Sequence, residues 1–186
     1  LGYKAQGVFI VHYVLPPDDV YLTLVDPDSC DVDGSRLTTV HAQLYFQVRC
    51  TQTFEISVVG ATGDSCPRPD PSQMLCGPVT VDYRPTQIGT QEVTFELPGE
   101  CVITDRAFLS VSFAELEPGC STIGDRPALM TNGQCQSCAS YNFYPGGQSD
   151  LCEIPGFPGR PIMFVESEAV VPVLRSSWGN VKTRYR

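Results

Sequence analysis

Basic charge is scarce in this chain. Its 186 residues include 12 Lys and Arg against 21 Asp and Glu, a formal charge of -9 at pH 7, and the only lysines are Lys4 and Lys182. A surface of that sign repels a phosphate backbone, which excludes nucleic acid as an expected partner. No apolar run approaches the roughly 18 to 20 residues that a membrane-crossing helix needs, so no transmembrane segment is expected. Neither GxGxxG nor GxxxxGK[ST] occurs, which removes the usual phosphate-cradling loops. Asn132, Asn142 and Asn180 each lack Ser or Thr two positions on, so there is no N-glycosylation sequon. Charged residues make up only 18%, beside 16 Gly and 16 Pro. That balance argues against a helical bundle or coiled coil, while 42% hydrophobic residues argue against disorder.

Cysteine, by contrast, is abundant. Cys30, Cys50, Cys66, Cys76, Cys101, Cys120, Cys135, Cys138 and Cys152 read as a disulfide framework and place the chain in an oxidising compartment, secreted or at a cell surface. Most connectivities stay open; the short loop closed by Cys66 and Cys76 is the one pairing the spacing singles out. An odd number leaves one thiol free or bridging between chains. Cys135-Gln-Ser-Cys138 could be half of a zinc site, but no second Cys-x-x-Cys and no His pair follows it. The chain starts at Leu1 without a Met or a cationic leader, which reads as a mature chain whose signal peptide has been removed.

Strand signals dominate the pattern. In residues 41–50, Ala42, Leu44, Phe46, Val48 and Cys50 alternate with His41, Gln43, Tyr45, Gln47 and Arg49, giving one buried and one wet face. The same period recurs in Phe54, Ile56 and Val58, in Val93, Phe95 and Leu97, and in Leu109, Val111 and Phe113. With residues 20–25, 79–83 and 162–165 and the opening run, roughly seven or eight strands are expected, most economically buried as two antiparallel sheets face to face. Residues 60–77, 117–138 and 142–161 read as long irregular connections tied by bridges at their bases. The expectation is an all-β, disulfide-stabilised antiparallel β-sandwich, jelly-roll or immunoglobulin-like, in one domain over residues 1–172. Residues 173–186 form a basic amphipathic helix or tail.

Two segments depart from the pattern. Residues 7–15, GVFIVHYVL, are apolar on both faces apart from His12. Such a strand must be covered on both sides. It reads either as a central strand of the sandwich or as a strand lent to a neighbouring subunit's sheet through Val8, Phe9, Ile10, Val11, Tyr13 and Leu15. Near the other end, Leu174, Trp178, Val181 and Tyr185 fall at helical spacing. The opposite face carries Arg175, Lys182, Arg184 and Arg186, four of the 12 basic residues. A complementary acidic patch, on the same subunit or the next, would attract that tail.

Chemistry-bearing constellations are weak. Gly63-Asp64-Ser65 is similar to the nucleophile segment of some serine hydrolases, but His12 and His41 both fall in expected strands upstream. Glu166 and Glu168 share a strand face about 6.6 Å apart, a spacing within reach of glycosidase carboxylate pairs. Asp26, Asp28, Asp31 and Asp33 form the densest cluster of hard oxygen ligands. The helix-loop-helix calcium pattern fails there, with Ser29 at its first position and Val40 at its last, so calcium in a sandwich loop is the only cofactor suggested.

The second half carries a resemblance. FLSVSF at residues 108–113, ALMTNGQCQSCASYNFYPGG and LCEIPGFPGRPIMF resemble a group of exported bacterial β-sandwich proteins with a Ser/Cys-rich loop before an aromatic-Asn segment and a later GFPG turn. The ending SSWGNVKTRYR is similar to short WGxxKxxYR tails on some of them. The resemblance implies a secreted β domain with no assigned activity and transfers no catalytic residue. The resulting expectation is a non-enzymatic extracellular assembly subunit, a homo-oligomer or polymer, joined through the opening strand, the tail or both. A carbohydrate-binding module, with tyrosines such as Tyr141 and Tyr144 at a loop end, stands second, and a glycoside hydrolase third.

Overall fold

Period-two strands bury one face only if a second layer covers it, and here two sheets cover each other. The computed structural model describes residues 1–2, 9–10, 19–27, 34–120, 123–156 and 159–170. Their elements run β1 (Phe9–Ile10), β2 (Val20–Val25), β3 (Ser35–Phe46), β4 (Gln52–Thr62), β5 (Arg68–Tyr83), β6 (Gly89–Glu96), β7 (Val102–Ile103), β8 (Ala107–Leu116), β9 (Ala128–Thr131), β10 (Ser140–Tyr144), β11 (Gly147–Asp150) and β12 (Met163–Ala169). Short 3-10 turns lie at Ile123–Asp125 and Leu151–Glu153, and the described residues include no α-helix. Every strand pair is antiparallel.

Sheet A is organised around β3. Along one side of β3 lie β12 and then β9, along the other β6 and then β7, and β1 adds to the far side of β9. Sheet B follows the order β11, β10, β2, β8, β4, β5. Leu37, Val40, Ala42, Leu44 and Phe46 of β3 face Phe54, Ile56 and Val58 of β4 and Leu109, Val111 and Phe113 of β8 in one continuous core. Phe54 sits at its centre, edge-on to Phe95 of β6 at 5.4 Å and to Phe113 at 5.3 Å between ring centroids. Each fully buried aromatic there contributes roughly 1.5 to 3 kcal/mol of transfer free energy. A smaller cluster of Leu22, Val59, Phe108 and Tyr141 lies beside it.

The all-β sandwich expected from the sequence is therefore present, with several boundaries corrected. β3 ends at Phe46, and residues 47–50 form a bend. Residues 60–77 are mostly strand, because β4 and β5 continue as a hairpin past three register shifts. The stretch taken as irregular from 142 to 161 contains the hairpin β10–β11, which turns at Pro145-Gly146 with Gly146 at φ +109°. Proline then glycine suits such a turn, since glycine accepts positive φ without a steric cost. Of the opening run, Phe9 and Ile10 pair with Thr131 and Met130 of β9, and among the described residues they pair with no other strand.

Four disulfides brace this body: Cys50–Cys120, Cys66–Cys138, Cys76–Cys101 and Cys135–Cys152. The expected Cys66–Cys76 loop is wrong. Cys76 lies opposite Val58, four ladder steps or about 13 Å from the Thr62–Arg68 pair that closes the turn holding Cys66, beyond disulfide reach. Instead Cys76, buried on β5, crosses to Cys101 before β7 and ties sheet B to sheet A. Both cysteines of the Cys-x-x-Cys motif are consumed in separate bridges, which leaves that motif no thiolate for zinc. Cys30 and the tail from residue 171 lie outside the described residues.

Candidate functional site

The described residues of the opening segment, 1–2 and 9–10, lie along sheet A. Leu1 exchanges two backbone hydrogen bonds with Val165, each 2.7 Å, and Gly2 bridges to Phe164. Gly2 has φ +94°, and a Cβ there would stand 2.9 Å from the Phe164 Cα, so only glycine permits this approach. Further on, Phe9 and Ile10 take up the edge of β9. Of the expected assembly residues, Val8, Val11, Tyr13, Leu15, Leu174, Trp178, Val181, Lys182 and Tyr185 lie outside the described residues.

The opposite edge of the same sheet is β6. Gln43 donates its N–H to Ile162 next to β12, and Leu97 donates to Thr38. This parity turns the N–H and C=O of Thr90, Glu92, Thr94 and Glu96 away from β3, toward the open side. No described group takes them up. The β6 ladder runs against β3 from Gly89 to Glu96 without a register shift, and β6 contains no proline. Beside it on the same flank lies β5, the outer strand of sheet B, joined to β6 by the 2.9 Å bond from Tyr83 Oη to Gln91 Oε1. β5 contains Pro69, Pro71 and Pro78, and its pairing with β4 slips three times. Met74 and Leu75 of β5, Ile88 just before β6 and Val102 of β7 account for four of the six large apolar side chains exposed among the described residues.

The outer face of sheet A holds His41. Its ring stacks on Phe164 at 4.4 Å, with Glu92 Oε1 2.9 Å from Nδ1. Glu166 Oε1 lies 3.3 Å from Nε2, close enough for an ion pair but not aligned for a hydrogen bond. Two carboxylates on opposite ring nitrogens brace an imidazole; they do not converge on one point. Glu168 pairs with Arg36. The two glutamates singled out for glycosidase chemistry are thus exposed, Glu168 beside Arg36 and Glu166 beside the His41 ring. Ser65 lies in the β4–β5 turn of sheet B, on the other sheet from His41, and His12 is outside the described residues.

A cavity of about 240 Å³ opens between the β4–β5 turn and the β10–β11 hairpin, walled by the Cys66–Cys138 bridge, Arg68, Tyr141, Gln148 and Asp150. Asp150 is fully engaged: one oxygen accepts from Cys138 N at 2.6 Å and the other from Cys152 N at 2.9 Å, capping the 3-10 turn. Tyr141 donates to Pro67 O at 3.0 Å. Burial, reinforced by the charge of Asp150, holds its phenol above the usual range. The Arg68 guanidinium has no hydrogen-bond or ion-pair partner among the described residues, and Ser137, Gln148 and Glu153 complete the polar wall. Tyr144 is exposed at the hairpin tip, its Oη 3.3 Å from Ser149 Oγ.

Near the end of β8, Glu117 accepts from Thr51 N at 2.9 Å, Thr51 Oγ1 at 3.1 Å and Arg84 at 3.2 Å. The Thr51 bonds, with Arg84 adding to them, hold its carboxyl below the ordinary range. Of the acidic turn only Asp26 is described; Asp28, Asp31 and Asp33 are not. Among the described residues no group of three or more His, Cys, Asp or Glu side chains gathers as a metal site.

Sequence reasoning missed Arg68, hidden among the prolines of β5, and the open edge of β6, whose alternation GTQEVTFE marks a strand but not its place at a sheet margin. In class, the chain is a four-disulfide antiparallel β-sandwich, and no described helix is long and apolar enough to cross a membrane. No protein-family model and no curated protein matches the sequence.

Proposed function

We propose that this chain is a non-enzymatic extracellular assembly subunit that joins copies of itself through the edges of sheet A. One observation carries the reading: the apolar opening run, where it is described, sits at a sheet margin, with Phe9 and Ile10 paired on one side only. A margin strand presents a row of backbone donors and acceptors that another sheet can extend. The four bridges support an oxidising, extracellular setting, since such a framework is rare in reducing compartments. Light scattering and negative-stain microscopy of the native protein, with and without reductant, test the reading. Long regular particles are the expected result. A monomer of 20.3 kDa at every concentration overturns it.

A second reading, a carbohydrate-binding module, is favoured by the polar cavity with its unpartnered Arg68 and by the exposed Tyr144 nearby on the β10–β11 hairpin. A glycan array is its test. Binding that Arg68→Ala abolishes supports this reading, and an array without hits overturns it.

A further inference from the structure

Resting on that assembly reading, we infer that the open edge of β6 is the surface that receives the opening strand of a second copy. Four residues of β6, Thr90, Glu92, Thr94 and Glu96, turn their N–H and C=O groups outward in an unbroken row. Devices that normally blunt such an edge include proline, bulges and charged side chains. The neighbouring β5 has prolines and bulges; β6 has neither, and its only charges are the acids Glu92 and Glu96. Exposed apolar side chains flank the row, Ile88 at one end and Val102 of β7 with Leu75 of β5 at the other. A two-sided apolar strand laid there finds cover.

Charge selects the occupant. β6 carries Glu92 and Glu96 and no base, whereas residues 1–17 carry Lys4 and His12 and no acid. Pairing β6 with β6 of a second copy in antiparallel register would bring two acidic rows together, which opposes a two-fold dimer. Pairing β6 with the opening run sets its acids against a segment that has no acid of its own and carries Lys4. β1 and β6 terminate the same sheet on opposite sides. Joining one to the other is therefore a head-to-tail contact between different surfaces, which propagates as a filament wherever the rotation does not close a ring.

The test uses the full chain and two independent perturbations. Thr94→Pro deletes an outward N–H and leaves the β3 ladder intact, with Thr94→Ala as its control. A synthetic peptide of residues 1–17, added to the parent protein, competes for the same edge. Particle mass is read by light scattering, and folding by thermal melting. Thr94→Pro is expected to melt as a folded protein yet fall from multi-copy particles to single chains. Thr94→Ala keeps the parent's particles, and excess peptide shortens them. If the parent is monomeric throughout, the assembly reading fails and takes this inference with it. If the parent forms particles that neither Thr94→Pro nor the peptide alters, the β6 edge is not the receiver and assembly uses another surface. Should Thr94→Pro fail to fold, the peptide result alone decides.

Discussion

β5 and β6 lie side by side on one flank of the sandwich, the first closing sheet B and the second closing sheet A; Tyr83 bonds to Gln91 between them, and Cys76–Cys101 ties β5 to the segment that follows β6. β5 is 16 residues long, carries three prolines and slips register three times. β6 is 8 residues long, keeps register throughout and has no proline. Both strands see the same solvent and share a core, so solubility alone does not explain why only one is blunted. The contrast is the one expected if the long edge is protected against pairing and the short one left competent for it, as proposed above.

Substitutions can break or sharpen that contrast. The largest effect is expected from Phe54→Ala, which removes the ring that backs β6 from within sheet B. It should cost about 3 to 5 kcal/mol, read as a lowered denaturant midpoint, and loosen both edges at once. Replacing Cys76 and Cys101 together by alanine removes the tie from β5 to sheet A across a separation of 25 residues. Loop-closure entropy puts that loss at about 3.5 kcal/mol, checked by denaturation against the oxidised parent. Converting Pro69 and Pro71 of β5 to threonine gives the long edge new N–H donors. Stability should change by no more than about 1 kcal/mol, while light scattering should show heavier species than the parent at equal concentration. The smallest effect concerns Glu117, beside Arg84 just past β5. Its carboxyl is held below the ordinary value of 4.5, so its contribution is present above that pH and is lost as the pH falls through the depressed value. Melts of Glu117→Gln should therefore differ from the parent near neutrality and converge with it in acid.

Much of this flank was legible in the sequence and part of it was not. Val93, Phe95 and Leu97 announce β6 because one face meets a core and the other meets water, which writes a period of two directly into the chain. The first ten residues of β5 leave no such trace. Its prolines and serine read as loop, yet they occupy a strand at the margin of sheet B, a place where proline is tolerated. Residues 20–25 match β2 residue for residue, since that strand lies between β10 and β8 and is packed on both faces. Disulfide pairing escaped because it depends on which strands cross in space, and Cys66 and Cys76 are near in sequence only. Arg68 and Asp150 came to one cavity wall from opposite ends of the sheet B order, a meeting that no local pattern encodes.

The overlapping bridges also set how the domain responds to pulling. Between positions 50 and 152 the shortest covalent route crosses Cys50–Cys120, follows the chain to Cys135 and crosses again to Cys152. That intervening chain stretches to about 50 Å, against about 350 Å for the same span without bridges. Under tension, the span between these two positions would yield only a small fraction of its contour length even when unravelled, behaving as a short inextensible link.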